Sequence, residues 1–211
     1  MRAGKGKSGI RFKPLTRETW RDFERLFGRS GACGGCWCMW WRQTRREFDE
    51  KHGAANKRAM KRIVDSGRVP GILAYSAGEP VGWCSVAPRD EYLSLDRSPV
   101  LKRLDDTPVW SIVCFYVDKA HRSGGMMDEL IAGAVDHVRR AGAKVVEAYP
   151  TRLRDAGAVR EGRVRRVRAP LRREAGHASQ HQVSSARVRR GSALAAEGGH
   201  TCRTPPPAGV A

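Results

Sequence analysis

The sequence predicts an α/β domain over residues 1–150, a mixed and mainly antiparallel sheet with flanking helices in the order β-α-α-β-β-β-α-β, followed by a tail at 151–211. Three observations predict it. Residues 109–150 read as strand, glycine-bearing turn, amphipathic helix and strand; residues 72–86 read as a hairpin; aromatic side chains, with Ile and Met, stop near residue 150.

Taken in order, Ile10 to Leu15 supplies a first strand, and Thr16 before Arg17-Glu18-Thr19-Trp20 reads as the cap of a helix with Trp20, Phe23, Leu26 and Phe27 on one side. Asn56 to Val64 is a second helix, with Met60, Ile63 and Val64 among basic residues, ended by Gly67 to Pro70. Ile72-Leu73-Ala74-Tyr75 and Val81 to Val86 flank Ser76-Ala77-Gly78-Glu79-Pro80, which makes an antiparallel pair. Trp110 to Val117 is a nearly unbroken apolar, β-branched and aromatic run that suits a strand buried on both faces. After Arg122-Ser123-Gly124-Gly125, the residues Met127, Leu130, Ile131, Ala134, Val135 and Val138 recur at helical spacing, with Asp128, Glu129, Asp136, Arg139 and Arg140 opposite. Arg139 and Arg140 suit the negative end of that helix, Gly142 suits its cap, and Lys144 to Tyr149 is the last strand.

The helix start therefore faces the carboxyl end of a strand. Unpaired amides there, two glycines permitting close backbone approach and a neighbouring guanidinium form an anion site suited to a pyrophosphate. The run Val117-Asp118-Lys119-Ala120-His121-Arg122-Ser123-Gly124-Gly125-Met126-Met127 resembles the acyl-coenzyme A loop of the GNAT N-acetyltransferase superfamily, whose pattern is Arg/Gln-x-x-Gly-x-Gly/Ala. Arg122 and Gly125 match the pattern; Met127 stands where it has a small residue. The element order of residues 1–150 resembles that family as well. The resemblance implies a GNAT-like fold and acetyl transfer from acetyl-CoA to a primary amine. It implies that Arg122, Ser123, Gly124, Gly125, Met126 and Met127 hold the pyrophosphate. The fourth and fifth strands would part at mid-length, and backbone groups of Phe115, Tyr116 and Val117 would pair with the pantetheine arm.

Direct transfer from a thioester needs a neutral amine, donors for the developing oxyanion and an acid for the departing thiolate. Tyr116 is a candidate proton donor, with a core or cleft-wall role as its alternative. Glu147 is a candidate base if it faces the notch, and otherwise a solvated or ion-paired strand residue. Asp105 and Asp106 precede Pro108 and read as turn formers.

Between the two first helices, Gly31 to Arg42 holds three cysteines and three tryptophans. Cys33-x-x-Cys36 has metal-ligand spacing, but a closed zinc site needs four ligands and the other candidates, His52, Cys84 and Cys114, lie in distant elements, so no metal is expected. A thioredoxin-type pair should follow a strand and open a helix, which this one does not. Packing of the loop against the sheet is the favoured role. By resemblance to a GNAT subgroup with such a segment, Trp37, Trp40, Trp41 and Arg42 are candidate acceptor-binding residues.

Residues 151–211 contain no Phe, Tyr, Trp, Ile, Met, Asn or Lys but 13 Arg, a composition that predicts disorder. Loss of the residues with AT-rich codons all at once also fits an out-of-frame reading near codon 151. Either way, the last helix and two strands that the family carries after its fifth strand are not expected. A second copy of the chain is one means of covering the exposed sheet.

Of the formal charge of +18, 27 basic against 18 acidic residues give +9 in residues 1–150, and 13 against 4 give +9 beyond them. A positive body suits anionic coenzyme A. No nucleic-acid-reading motif accompanies the charge, so nucleic acid would meet only the basic tail, non-specifically; a non-catalytic basic binding protein is the alternative function. Irregularly spaced cysteines, with no apolar leader and no 18-residue apolar span, predict a cytoplasmic chain without a membrane segment. The expected partner is a small-molecule or peptide amine.

Overall fold

The computed structural model describes residues 9–99, 101–122, 124–149 and 167–171. In chain order the elements are β1 (Arg11–Pro14), α1 (Trp20–Phe27), α2 (Arg45–Glu50), α3 (Ala54–Asp65), β2 (Gly71–Ser76), β3 (Glu79–Pro88), α4 (Leu93–Arg97), β4 (Trp110–Val117), α5 (Met126–Arg140), β5 (Val145–Ala148) and β6 (Val167–Pro170). Their strands form one sheet in the order β1-β2-β3-β4-β5-β6. All neighbours are antiparallel except β4 and β5, which the α5 crossover makes parallel.

Each face of the sheet has its own core. On one side Phe23 and Phe27 of α1 meet Trp83 of β3 with ring centroids 4.9 and 6.1 Å away, and Met60, Ile63 and Val64 of α3 complete the layer. On the other side Met126, Leu130, Ala134 and Val138 of α5 pack on Ile72, Ala74, Cys84, Val86 and Ile112. The hairpin between β2 and β3 turns at Ala77 and Gly78, both at positive φ (49° and 87°), the turn whose twist matches its strands.

Several expectations shift. Thr19, not Thr16, stands at the N-cap of α1, and neither hydroxyl caps a helical N–H: that of Thr19 donates to the Pro14 carbonyl at 2.8 Å and accepts from the Thr16 N–H at 2.9 Å, while the Thr16 hydroxyl donates to Glu18. The buried stripe of α5 starts at Met126, so Met127 and Ile131 are 45% and 41% exposed rather than in the core. Gly133 explains the one-residue error. It carries no apolar side chain to betray its place on the inner face, where a Cβ would stand 2.7 Å from the Phe12 ring. Neither short helix was expected; α2 is fixed by a reciprocal cap, Thr44 accepting from the Glu47 N–H and Glu47 from the Thr44 N–H. The sheet also gains β6 from the tail, paired through Val145↔Pro170 to Ala148↔Val167. The expectations for residues 1–8 and for the remainder of the tail, 151–166 and 172–211, lie outside the described residues. Among the described residues no helix is long and apolar enough to cross a membrane.

Candidate functional site

A β-bulge divides β4. Cys114 pairs with Ser85 and Ile112 with Val86, which leaves Val113 as an extra residue without a partner on β3. An inserted residue bends its strand and inverts the alternation of side chains beyond it. Accordingly Trp110 and Ile112 pack toward α5 before the bulge, and Phe115 and Val117 do so after it, while Cys114 and Tyr116 turn to the α1 side. The pairing of β4 with β5 runs from Trp110↔Val146 to Ile112↔Ala148, where β5 ends, so among the described residues β4 continues to Val117 with β3 alone in register beside it.

The open half of β4 leads into the glycine turn. Asp118 donates its N–H to the Val81 carbonyl at 2.9 Å and accepts from the Ala120 N–H at 3.0 Å, which ends the strand in a single helical turn. Arg122 donates Nε–H to the Val117 carbonyl at 3.0 Å, tying its guanidinium to the strand end. Gly125 caps α5 at φ 80°, a conformation that costs a side-chain-bearing residue about 1–2 kcal/mol. The first helical bonds run from Asp128 and Glu129 to the Gly125 carbonyl, so the N–H groups of Gly125, Met126 and Met127 precede the hydrogen-bonded ladder. Among the described residues, a Cβ built at Gly124 or Gly125 would meet nothing within 4 Å, so packing by those residues does not require two glycines here and leaves the space above them open. Ser123 lies outside the described residues.

Residues 36–160, more than half of the chain, match the profile of the acetyltransferase (GNAT) family. The chain belongs to that family. None of the curated proteins matches it in sequence. Among solved structures it is similar to the aminoglycoside N-acetyltransferase AAC(6')-Iy in complex with CoA, with 14% identity, a TM-score of 0.45, and coverage of 76% of this chain and 89% of that one. AAC(6')-IG from Acinetobacter haemolyticus gives 18%, 0.43, 72% and 87%, and the PaiA N-acetyltransferase from Thermoplasma acidophilum, in complex with coenzyme A, gives 11%, 0.40, 74% and 87%.

The candidate acceptor residues of this acetyltransferase-family chain scatter. Trp37 is buried in the α1 core, stacked 5.6 Å from Phe27. Arg42 is also buried, donating to Glu91 at 2.6 Å, to the Pro70 carbonyl at 3.1 Å and to the Tyr92 hydroxyl at 3.3 Å. Both hold the loop to the sheet. Trp40 stands edge-on to Phe48 of α2 with Arg45 over its ring. Of the four, Trp41 alone joins Val113 and Tyr149, half-buried, around the cluster Ala87, Tyr92, Leu95 and Leu101, where β4 and β5 separate. Ser94 of α4 pins this stretch by donating to the Gln43 carbonyl at 2.8 Å.

Tyr116 is half-buried, with its ring 5.4 Å from Phe27. Glu147 is 3% exposed; it accepts from the Tyr149 hydroxyl at 2.9 Å and lies 3.6 Å from Arg89 and 3.5 Å from Arg168. Asp105 accepts from the Thr107 N–H at 2.9 Å, as a turn former does, and takes two bonds from Arg168, which hold its carboxyl below the usual range. Sequence reading missed the centre of this network. Arg89, 1% exposed, donates to Tyr149 at 2.7 Å and to Asp96 at 3.0 Å, and Ser111 shares a 3.0 Å bond with Tyr149. Burial, more than any partner, raises the Tyr149 hydroxyl above its ordinary pKa. The available signal was a polar residue at an inward position of each strand, Ser111 and Glu147, which face each other in the ladder.

The thiols behave unequally. Cys38 accepts a hydrogen bond from the Trp83 indole N–H at 3.2 Å, and its surroundings, with Cys114 foremost, bring its pKa down to about 7; the Cys114 thiol itself donates to the Phe115 carbonyl at 3.8 Å. Burial pushes Cys36 up to about 11, and the neighbouring Cys38, then burial, raises Cys114. Among the described residues no group of three or more His, Cys, Asp or Glu side chains has a metal-binding arrangement.

Proposed function

We propose that the chain is an N-acetyltransferase that moves an acetyl group from acetyl-CoA to a primary amine. One observation carries the reading: the bulged strand leaves its parallel neighbour at Ile112↔Ala148 and then delivers the chain to a left-handed glycine with open space above it, at the start of a 15-residue helix. A helix start of this kind favours an anion through its amides and its dipole. In this reading Arg122 and residues 123–127 take the pyrophosphate. Backbone groups of Phe115, Tyr116 and Val117, on the half of β4 that β5 does not cover, take the pantetheine.

The acceptor nitrogen attacks the thioester carbonyl, a C–N bond forms and the C–S bond breaks, and the amine gives up its proton to solvent. Tyr116 stands on the same half-strand and protonates the departing thiolate. Glu147 is assigned to the framework rather than to base chemistry, because two arginines and a tyrosine engage its carboxylate. Trp41 is the retained acceptor-side residue.

Acetyl-CoA at about 100 times its Kd should stabilise the folded protein by about 2.7 kcal/mol, read as a raised melting temperature. Gly125→Glu should abolish the rise, and Arg122→Ala should reduce it should the first variant fold poorly. No rise for the folded wild type overturns the reading. Tyr116→Phe should keep the rise and lower kcat by about 100-fold or more against an amine that is turned over; an unchanged kcat removes Tyr116 from the chemistry alone.

A further inference from the structure

The last rung between β4 and β5 is Ile112↔Ala148, and the next residue of each strand is Val113 and Tyr149. Both are half-buried, and with Trp41 from the loop between α1 and α2 they pack against the cluster of Ala87, Tyr92, Leu95 and Leu101. We propose that this corner seats the acceptor, and that the acceptor is a monoamine carried on an aromatic or aliphatic body, as opposed to a polycation. The inference rests on the acetyltransferase reading and names the class of amine within it.

The surface of the corner is apolar. An indole, an isopropyl group and a phenol ring each keep part of their area outside the core. Tyr149 has its ring to offer and not its hydroxyl, because the one proton and two lone pairs of that hydroxyl are taken by Glu147 at 2.9 Å, Arg89 at 2.7 Å and Ser111 at 3.0 Å. Residues 89–109, which join β3 to β4, supply Tyr92, Leu95 and Leu101 to the cluster and also carry Leu93 and Leu104, 47% and 65% exposed. Aromatic and aliphatic bodies gain most from such a surface.

The charges point the same way. A polyamine or an aminoglycoside brings several ammonium groups, and each one that leaves water needs a carboxylate of its own. The carboxylates of residues 89–109 are already spent: Glu91 lies 2.6 Å from Arg42, Asp96 3.0 Å from Arg89 and Asp105 2.6 Å from Arg168, and Asp90 is paired with Arg103. Among the described residues Asp106 alone of that segment has no ion pair. Glu147 on β5 stands between Arg89 and Arg168. The net charge of +9 over residues 1–150 adds a repulsion that grows with the charge of the acceptor. A monoamine escapes both costs, since it reacts as the neutral species. Its nitrogen forms the new C–N bond as the C–S bond breaks, its proton leaves to solvent, and Tyr116 protonates the thiolate.

The full-length protein is melted with and without acetyl-CoA, then assayed with acetyl-CoA against tryptamine, phenethylamine, spermidine and kanamycin, the acetylated amine being quantified by mass spectrometry. The expected result is a kcat/KM for the two aromatic monoamines about tenfold or more above that for either polycation. Their KM should hardly respond to added salt, which screens charge but not apolar contact. Trp41→Ala should raise the KM for tryptamine about tenfold and leave acetyl-CoA protection intact, and Trp41→Phe should recover most of the loss. Preference for spermidine or kanamycin, no acetylation of either aromatic amine, or a tryptamine KM untouched by Trp41→Ala overturns the proposal. Any of these in a protein that acetyl-CoA protects removes the acceptor class alone; absence of protection removes the acetyltransferase reading and the acceptor class with it.

Discussion

The two halves of β4 differ in almost every respect although one sheet contains them both. Trp110 to Ile112 has a strand on each side, and Ser111 there joins a buried network of Tyr149, Glu147 and Arg89. From Cys114 to Val117 the strand pairs with β3, and β5 is no longer in register beside it. One inserted residue, Val113, separates a half tied into a buried polar network from the half that the proposed function assigns to the coenzyme. Satisfying buried polar groups makes the first half rigid and chemically occupied, whereas the proposed function draws on backbone groups outside the ladder in the second.

Substitutions can test that contrast. The largest effect is expected in the closed half. Glu147→Ala removes the buried carboxylate beside Arg89, whose side chain is 1% exposed and whose other carboxylate partner, Asp96, is 46% exposed, and should cost about 3–5 kcal/mol in denaturant unfolding, as breaking a buried ion pair does. A cost below 1 kcal/mol would mean that the network is not closed and would return Glu147 to the list of candidate bases. Next, Leu130→Ala, fully buried beneath the sheet, should cost about 2–5 kcal/mol, whereas Met127→Ala at the 45% exposed start of the same helix should stay within about 0.5 kcal/mol. Equal losses would restore the apolar face as the sequence pattern drew it.

Smaller effects calibrate the regions outside the strand. Thr44→Ala removes a side chain that accepts the Glu47 N–H at 3.1 Å and should cost about 1 kcal/mol by thermal melting. No change would show that tertiary contacts alone hold α2. The smallest effect concerns acid. Burial, then Arg140, lowers the pKa of His137, whose ring stands 5.7 Å from Trp110 of the closed half. A lowered folded-state value means that the unfolded chain binds the extra proton first. The contribution is therefore whole above the unfolded value of about 6.5 and fades as pH falls through the lower, folded one. Unfolding curves between pH 7 and pH 5 should show this slope in the wild type and a weaker one in His137→Phe. Opposite ordering would mean that the ring is charged in the fold.

Apolar spacing placed all the major strands and helices of the first 150 residues because each buries one stripe or one face. Local backbone chemistry did as much at the turns: a positive φ at Gly125 and Gly142 is demanded by the chain itself. Where spacing had nothing to count, it slipped, as at Gly133, and where a helix was held by a cap, as in α2, or by bonds to a neighbouring loop, as in α4, instead of a stripe, it gave no sign.

The sequence by itself determined the order of the major elements from β1 to β5, the glycine turn after β4 and the family to which the chain belongs, since these follow from residue type and near-neighbour spacing. Only the tertiary structure decided that Val113 is the inserted residue and that Arg42 and Trp37 are buried fasteners. It alone brought Arg89, Ser111, Glu147 and Tyr149 into one network and set the Cys38 sulfur against the Trp83 indole N–H. The physical reason is common to all of these. A bulge is a mismatch between two strands, and a buried charge or thiol takes its character from partners far along the chain, so neither is written in the residues on either side of it.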